Sequence, residues 1–155
     1  MAFANTNDYL TGRKPVPTPA GSEVLSVRFT LALPTADLQQ NDCGAIGILP
    51  AGCVPVDVMV DGTDMDTSTA ALVLQVGILN ATGDDLSTVA ADGGAHWGVT
   101  TAVNTAFTQR LTPNGQALVS VAAAANDRFI GVKVATAPTT AAAGTLGVTL
   151  MYRAA

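Results

Sequence analysis

Residues 22–33, SEVLSVRFTLAL, contain the alternation that decides the fold. Large apolar side chains occupy every second position from Leu25 to Leu33, and smaller or polar side chains fill most of the positions between them. This period of two places the apolar side chains on one face of a β-strand, whereas a helix needs a spacing of three and four residues. Pro34 ends the run, because proline cannot donate a backbone hydrogen bond to a continuing strand.

The same alternation recurs along the rest of the chain. It predicts further strands at 46–48, 54–60, 72–78, 97–103, 107–111, 118–121, 129–134 and 146–152. We expect Pro50-Ala51-Gly52 to be a hairpin turn between the second and third strands, and Pro55 to lie at a sheet edge or bulge. A helix is the alternative for Ala117–Ala125, but the β-branched Val119 and Val121 disfavour it. About eight closely spaced strands predict an all-β fold, an antiparallel β-sandwich of jelly-roll type.

The composition agrees with strands rather than helices. Charged residues make up only 12% of the chain, and its glutamate and lysine are limited to Glu23, Lys14 and Lys133. These two residue types normally cover exposed helices. The net charge of −5, with no basic cluster beyond Arg13-Lys14, argues against nucleic acid as a partner.

The sequence predicts neither a membrane span nor a secretory signal. No stretch reaches the roughly 20 apolar residues that a spanning helix needs. Residues 1–5, MAFAN, lack the basic and apolar regions of a signal peptide. We therefore expect a soluble protein made in a cytoplasm, with Cys43 and Cys53 as two separate buried thiols rather than a disulfide.

The first 21 residues, here called the N-terminal arm, differ from the rest. Proline at every second position from 15 to 19 favours an extended conformation. We divide the chain into this arm (1–21) and a single β-sandwich domain (22–155). The arm holds few apolar groups, so we expect its deletion to leave the melting temperature nearly unchanged and to weaken attachment to a partner. The candidate partner-binding residues are Phe3, Tyr9 and Leu10.

A catalytic or metal site is not predicted. His96 is the single histidine, and no nucleophile or second base stands at a recognisable motif spacing. The acidic run from Asp57 to Asp66 loosely resembles a calcium loop, but Gly62 is second rather than sixth and Leu72 stands where the bidentate glutamate belongs. We expect these carboxylates to bind nearby backbone amides, and we expect no cofactor, no metal and no enzymatic activity.

The C-terminal stretch 126–155, NDRFIGVKVATAPTTAAAGTLGVTLMYRAA, resembles the closing hairpin of small structural proteins encoded beside the major capsid protein in tailed bacteriophages. In that family an Asp-Arg-Phe-Ile-like strand leads through an Ala/Thr/Pro loop and a glycine into a last strand ending in Tyr-Arg-Ala. The resemblance extends over residues 22–155. Other segments similar to the same group are 48–52 (ILPAG), 56–58 (VDV), 64–66 (DMD) and 74–79 (LQVGIL).

The resemblance implies a capsid decoration (cement) protein, which is a β-sandwich that binds outside an icosahedral shell at junctions between capsomers. It also implies the major capsid protein as partner, the capsid surface of the virion as location, synthesis in the host cytoplasm, and no catalytic residues. The alternative is a head-fibre or tail-associated β module of a phage virion. A carbohydrate-binding sandwich is more remote, because the chain has one Trp, two Tyr and four Phe, which fall mostly in predicted strands.

We expect the isolated protein to form a homo-oligomer, with a trimer favoured, because its surface carries few charges and nearly half of its residues are apolar. Sedimentation equilibrium should then find about three times the 15.6 kDa chain mass. A purely monomeric protein at tens of micromolar would contradict this, unless assembly waits for the capsid.

Overall fold

The computed structural model describes residues 2–155, and its regular secondary structure is almost entirely β-strand. Two short 3-10 helices, Thr35–Asp37 and Ala90–Asp92, lie in the loops. The strands are β1 Val24–Leu33, β2 Cys43–Leu49, β3 Cys53–Gly62, β4 Val73–Ile78, β5 Gly98–Val99, β6 Phe107–Arg110, β7 Thr112–Pro113, β8 Arg128–Thr136 and β9 Gly144–Ala154.

The strands form two antiparallel sheets. Sheet 1 has the order β1-β9-β3-β6, and sheet 2 has the order β2-β8-β4-β5-β7. β1 and β9 pair over the whole of β1, from Val24 opposite Arg153 to Leu33 opposite Gly144. The chain passes from sheet to sheet between β1 and β4, as a jelly roll does. The all-β antiparallel sandwich predicted from the sequence is confirmed.

The apolar alternation of the strands faces the space between the two sheets. Phe29 and Leu31 of β1 and Val148 of β9 are at most 3% exposed, and so are the alternate residues of β4 and β8. Trp97 is also buried, and its Nε1 donates a hydrogen bond to the Asp92 carbonyl at 2.9 Å. The two inner faces thus form one continuous core, which is the arrangement that a period of two requires.

The turn at Pro50-Ala51-Gly52 does not form the predicted hairpin. β2 pairs with β8 in sheet 2, whereas β3 pairs with β9 in sheet 1, so this turn carries the chain from one sheet to the other. Alternation fixes which face of a strand is buried, but it does not identify the neighbouring strand. Cys43 and Cys53, which begin β2 and β3, are both buried and free, as predicted.

Pro55 lies at a bulge, as predicted. The register of β3 against β9 shifts between Pro55 and Asp57. β6 pairs with β3 only along Met59–Gly62. Within the described chain, the first half of β3 is therefore also an edge, where a residue without a backbone N–H is tolerated.

The prediction of a strand at 118–121 was wrong. These residues belong to a series of turns, in which the Ala117 N–H donates to the Asn114 carbonyl at 3.0 Å and the Ser120 N–H to the Gln116 carbonyl at 3.0 Å. Val119 is 74% exposed, so its alternation with Val121 does not reflect a buried face. The predicted strand at 97–103 is likewise reduced to β5 and one isolated bridge.

The N-terminal arm closes the side of the sandwich where β1 and β2 are the sheet edges. The side-chain amide of Asn7 donates to the Thr30 carbonyl of β1 at 3.0 Å and to the Ile46 carbonyl of β2 at 2.7 Å. The amide of Asn5 donates to the Ala32 carbonyl of β1 at 2.7 Å. Carbonyls that edge strands leave without a ladder partner thus receive donors from the same chain.

Apolar contacts also hold the arm to the sandwich. Phe3 and Tyr9 are partly buried against the core, and the Tyr9 ring meets Phe29 edge-on with centroids 4.9 Å apart. The Tyr152 hydroxyl donates to the Pro17 carbonyl. The expectation that the arm makes few apolar contacts is therefore not met, because isolated aromatic residues in a polar segment do not reveal where they pack.

Replacing Asn7 with Ala should destabilise the protein by about 1–3 kcal/mol, because two carbonyls at the sheet edges lose their donor. Urea unfolding followed by tryptophan fluorescence would measure this change. Thr6→Ala, an exposed neighbour in the arm, is the control and should stay within about 0.5 kcal/mol of the wild type.

Deletion of residues 2–20 should lower the melting temperature further than Asn7→Ala does, because it also removes the contacts of Phe3, Tyr9 and Pro17. This replaces the sequence-based expectation of an unchanged melting temperature. An equally stable truncated protein would mean that the arm does not contribute to the folded domain.

Candidate partner-binding site

Two of the three candidate residues line a single groove. Phe3 and Leu10 of the arm lie with Phe129 of β8 around a groove of about 380 Å³. Phe129 is 50% exposed. Among the described residues, the lining includes no charged side chain, but the polar side chains of Asn5 and Asn80 belong to it. The groove therefore offers an apolar patch with polar groups beside it.

Phe129 was not singled out by the sequence analysis. It pairs with Ile48 of β2 and precedes Ile130, which is fully buried. Neighbouring residues of a strand point to opposite faces, so Phe129 faces outward. The alternation could have identified Phe129, because it places this ring on the outward face of a predicted strand. The other residues of that face are smaller or polar.

Tyr9 lies apart from that groove. Besides its contact with Phe29, its ring lies 4.8 Å from the Lys14 ammonium, measured to the ring centroid. It lines a second groove, of about 340 Å³, together with Pro15 and Pro50. The structure therefore brings Phe3 and Leu10 together and separates Tyr9 from them, and the partner-binding role of all three stays a prediction.

The acidic run forms ion pairs on the outer face of sheet 1. Asp57 accepts a hydrogen bond from Arg110 at 3.0 Å. Asp61 accepts two from the Arg28 guanidinium, and this pair lies above Gly147 of β9. A Cβ atom at position 147 would collide with both charged groups, so a larger residue here would displace this ion pair.

The remaining acidic residues bind backbone amides, as predicted for this run. Asp64 accepts a hydrogen bond from the Asp66 N–H at 3.2 Å. Asp66 is fully buried in the loop before β4, where it contacts the loop before β9. Its carboxylate oxygens accept hydrogen bonds of 3.0–3.3 Å from the backbone N–H groups of Ala71, Leu72, Thr139 and Thr140.

These donors decide the protonation state of Asp66. Burial alone would raise the pKa of its carboxyl, but the four backbone hydrogen bonds outweigh burial and hold the pKa below its usual value. The ionised carboxylate is thus bound by peptide N–H groups, and it serves to join the two loops.

His96 is half-buried, and its backbone carbonyl accepts a hydrogen bond from the Asn114 side chain at 3.0 Å. Burial, with a smaller effect of the Lys133 charge, lowers the pKa of its imidazole. His96 is therefore neutral near physiological pH, and its described contacts are structural.

Residues 2–155 include no group of three or more His, Cys, Asp or Glu side chains placed to hold a metal ion. None of their helices has the length and apolar character needed to cross a membrane.

Comparison with known structures identifies similar chains in phage capsids. The first is a chain of the capsid of Ralstonia phage GP4, which is 27% identical, with 96% of each chain covered and a TM-score of 0.77. The second is a chain of the capsid asymmetric unit of cyanophage Pam1, which is 20% identical, with 91% of this chain and 94% of that chain covered and a TM-score of 0.51. The second likeness concerns the fold alone.

No protein-family model matches this chain, and no curated protein sequence matches it either.

Replacing Asp66 with Asn should cost about 3 kcal/mol of unfolding free energy at neutral pH, because hydrogen bonds to a buried charge are lost and its N–H partners stay buried. Because the folded pKa is lowered, the ionised form stabilises the fold above the unfolded pKa of about 3.9, and this stabilisation is lost as pH falls through the folded value. The difference between wild type and Asp66→Asn should therefore shrink below about pH 4.

Urea unfolding at neutral and acidic pH would measure this difference. Asp64→Asn is the control, since Asp64 is exposed and accepts a backbone hydrogen bond of 3.2 Å. Equal effects of the two substitutions would contradict the proposed role of Asp66.

Proposed function

We propose that this protein is a structural component of a phage virion that binds the outside of the capsid and stabilises the shell, as a decoration protein does. The observation that carries the virion role is the likeness to a chain of the Ralstonia phage GP4 capsid, which covers 96% of both chains. Because the likeness covers nearly all of each chain, it is not limited to one shared motif.

Several features of the surface support a role in an assembly. Large apolar side chains are exposed at separate places, with Phe129 at 50%, Val89 at 58% and Val119 at 74% exposed. Single exposed apolar residues are ordinary, but apolar side chains that line a groove are typical of interaction sites. Phe129 belongs to such a groove together with Phe3 and Leu10.

The proposed partner at this groove is the major capsid protein. An uncharged groove of about 380 Å³ accommodates a few apolar side chains of a neighbouring subunit. Each such contact is weak, but an oligomer, for which we favour a trimer, would engage several shell sites at once and gain affinity by avidity.

The aromatic residues do not favour the carbohydrate-binding alternative. Sugar binders present exposed aromatic rings for stacking. In this chain Trp97 and Tyr152 are buried, and the Tyr9 ring contacts Phe29 and Lys14. Phe129 is the one exposed aromatic ring among the described residues, so several rings are not presented together.

The proposal can be tested with capsid shells assembled without this protein, from the phage whose genome encodes it. Purified wild-type protein should co-sediment with the shells, reach saturation, and raise the temperature at which they break open. A wild-type protein that does not bind these shells would overturn the proposed function.

The groove is tested by Leu10→Asn and Phe129→Ser, each of which should weaken shell binding about tenfold, corresponding to roughly 1.4 kcal/mol. Val89→Ser, at an exposed apolar residue that does not line this groove, is the control and should bind as the wild type does. Unaltered binding of both groove variants would place the contact elsewhere on the protein.

A further inference from the structure

A second apolar surface lies where β1 and β3 begin and β9 ends. Here called the valine surface, it contains Val24, Val54, Val56, Val119 and Arg153. Val24 is 52%, Val56 37% and Val119 74% exposed. Val54, Val56, Val119 and Arg153 line one shallow groove of about 340 Å³. Three of the large exposed apolar side chains of the molecule therefore belong to one surface.

The register of sheet 1 places Arg153 in the middle of this surface. Arg153 is opposite Val24 on β1 and opposite Val54 on β3. Directly paired residues project on the same face of a sheet. Since the neighbouring Tyr152 is buried in the core, Arg153 projects outward between the two valines.

Arg153 differs from the other cations of the sandwich domain in having no carboxylate partner among the described residues. Its Nη1 donates to the carbonyl of Ala154, the next residue, at 2.9 Å. The other four cations of the domain each form an ion pair with an aspartate. These pairs are Arg28–Asp61, Arg110–Asp57, Arg128–Asp92 and Lys133–Asp85.

We propose that the valine surface is a docking site for a carboxylate group set among apolar side chains on a subunit of the capsid shell. This inference rests on the proposed function and names a contact separate from the groove of Phe3 and Leu10. Arginine surrounded by apolar side chains is a common centre of binding energy in interfaces, because the apolar rim excludes water from the charged contact.

A second copy of this chain fits the valine surface less well. A twofold contact of the surface with itself would bring one Arg153 against the other, and like charges repel. In addition, each of the chain's twelve side-chain carboxylates already accepts a hydrogen bond or forms an ion pair within the chain. The exposed Asp127, for example, accepts a hydrogen bond from the Ala51 N–H at 2.8 Å, and Glu23 accepts one from the Ala20 N–H at 2.7 Å. A carboxylate from a different chain is therefore the better partner for Arg153.

The test measures the affinity of full-length variants for shells assembled without this protein. Arg153→Gln should weaken binding about tenfold, and Arg153→Glu should weaken it further by adding repulsion. Val119→Thr should weaken binding by a smaller factor. Arg153→Lys keeps the charge but loses the planar fork, so its affinity should lie between those of wild type and Arg153→Gln.

The control is Arg110→Gln, which changes the net charge by the same amount at an arginine that already has Asp57 as its partner. It should bind shells within about twofold of the wild type, since a purely long-range charge effect is screened at physiological salt. Melting temperatures of the Arg153 variants should equal that of the wild type, because the side chain is exposed.

The outcomes separate this inference from the proposed function. A wild-type protein that does not bind the shells overturns both. Wild-type binding that is matched by Arg153→Glu overturns the docking site and leaves the proposed function standing. A third outcome is an Arg153→Glu variant that is monomeric in sedimentation equilibrium and still binds shells as the wild type does. In that case a second copy covers the valine surface, and the inference is wrong.

Discussion

The pairing of β9 with both β1 and β3 is the interaction on which the rest of the sandwich depends. β9 lies between β1 and β3. Residues paired across neighbouring strands project on the same face, so each residue of β9 fixes which residues of β1 and β3 face the core. Tyr152 is buried, and this requires Arg153 to project outward. Gly147 leaves room on the same outer face, and the Arg28–Asp61 ion pair extends across it to join the two flanking strands. A one-residue slip of β9 would reverse all of these positions at once.

A sandwich has open sides, and this chain closes one of them with side chains rather than with another strand. The Asn7 amide binds one carbonyl in each sheet, so the arm joins the two layers at their edges. An edge strand with free carbonyls would be a template for unwanted pairing with other chains, and the arm covers it. The same placement brings Phe3 and Leu10 beside Phe129. Closure of the edge and formation of the groove therefore have a common cause, which links the stability of the arm to the proposed binding.

The sequence was sufficient to predict the strands that bury one face in the core, because a period of two is a direct consequence of that burial. β1, β3, β4, β8 and β9 were all identified in this way. The pattern was misleading at Val119 and Val121, where alternation arises in a series of turns and only Val121 is buried. It could not assign β2 and β3 to different sheets, because a short turn is compatible with a hairpin or with a crossing between layers. Their partners, β8 and β9, are distant in sequence, and no local pattern encodes such a choice.

For the candidate surfaces, the sequence identified residues that contrast with their neighbours and missed those that do not. Phe3 and Leu10 stand out in a polar arm. Phe129 and Arg153 lie in strands whose outward face the alternation predicts, but only the tertiary structure shows which apolar groups lie beside them. The cations of the domain also differ in whether they have an ion-pair partner within the chain. The ion pairs with exposed arginines, Arg28–Asp61 and Arg110–Asp57, add only about 0.2–1 kcal/mol each to stability, so pairing these two cations contributes little to the fold. The larger effect of ion pairing concerns binding specificity, because a cation that already has a carboxylate partner gains less from a carboxylate of another protein. Arg153 has no carboxylate partner within residues 2–155, so the proposed docking site places it where an approaching carboxylate gains most. Covering the surrounding valines removes apolar surface from water, which is favourable. The charge and the valines therefore favour the same contact.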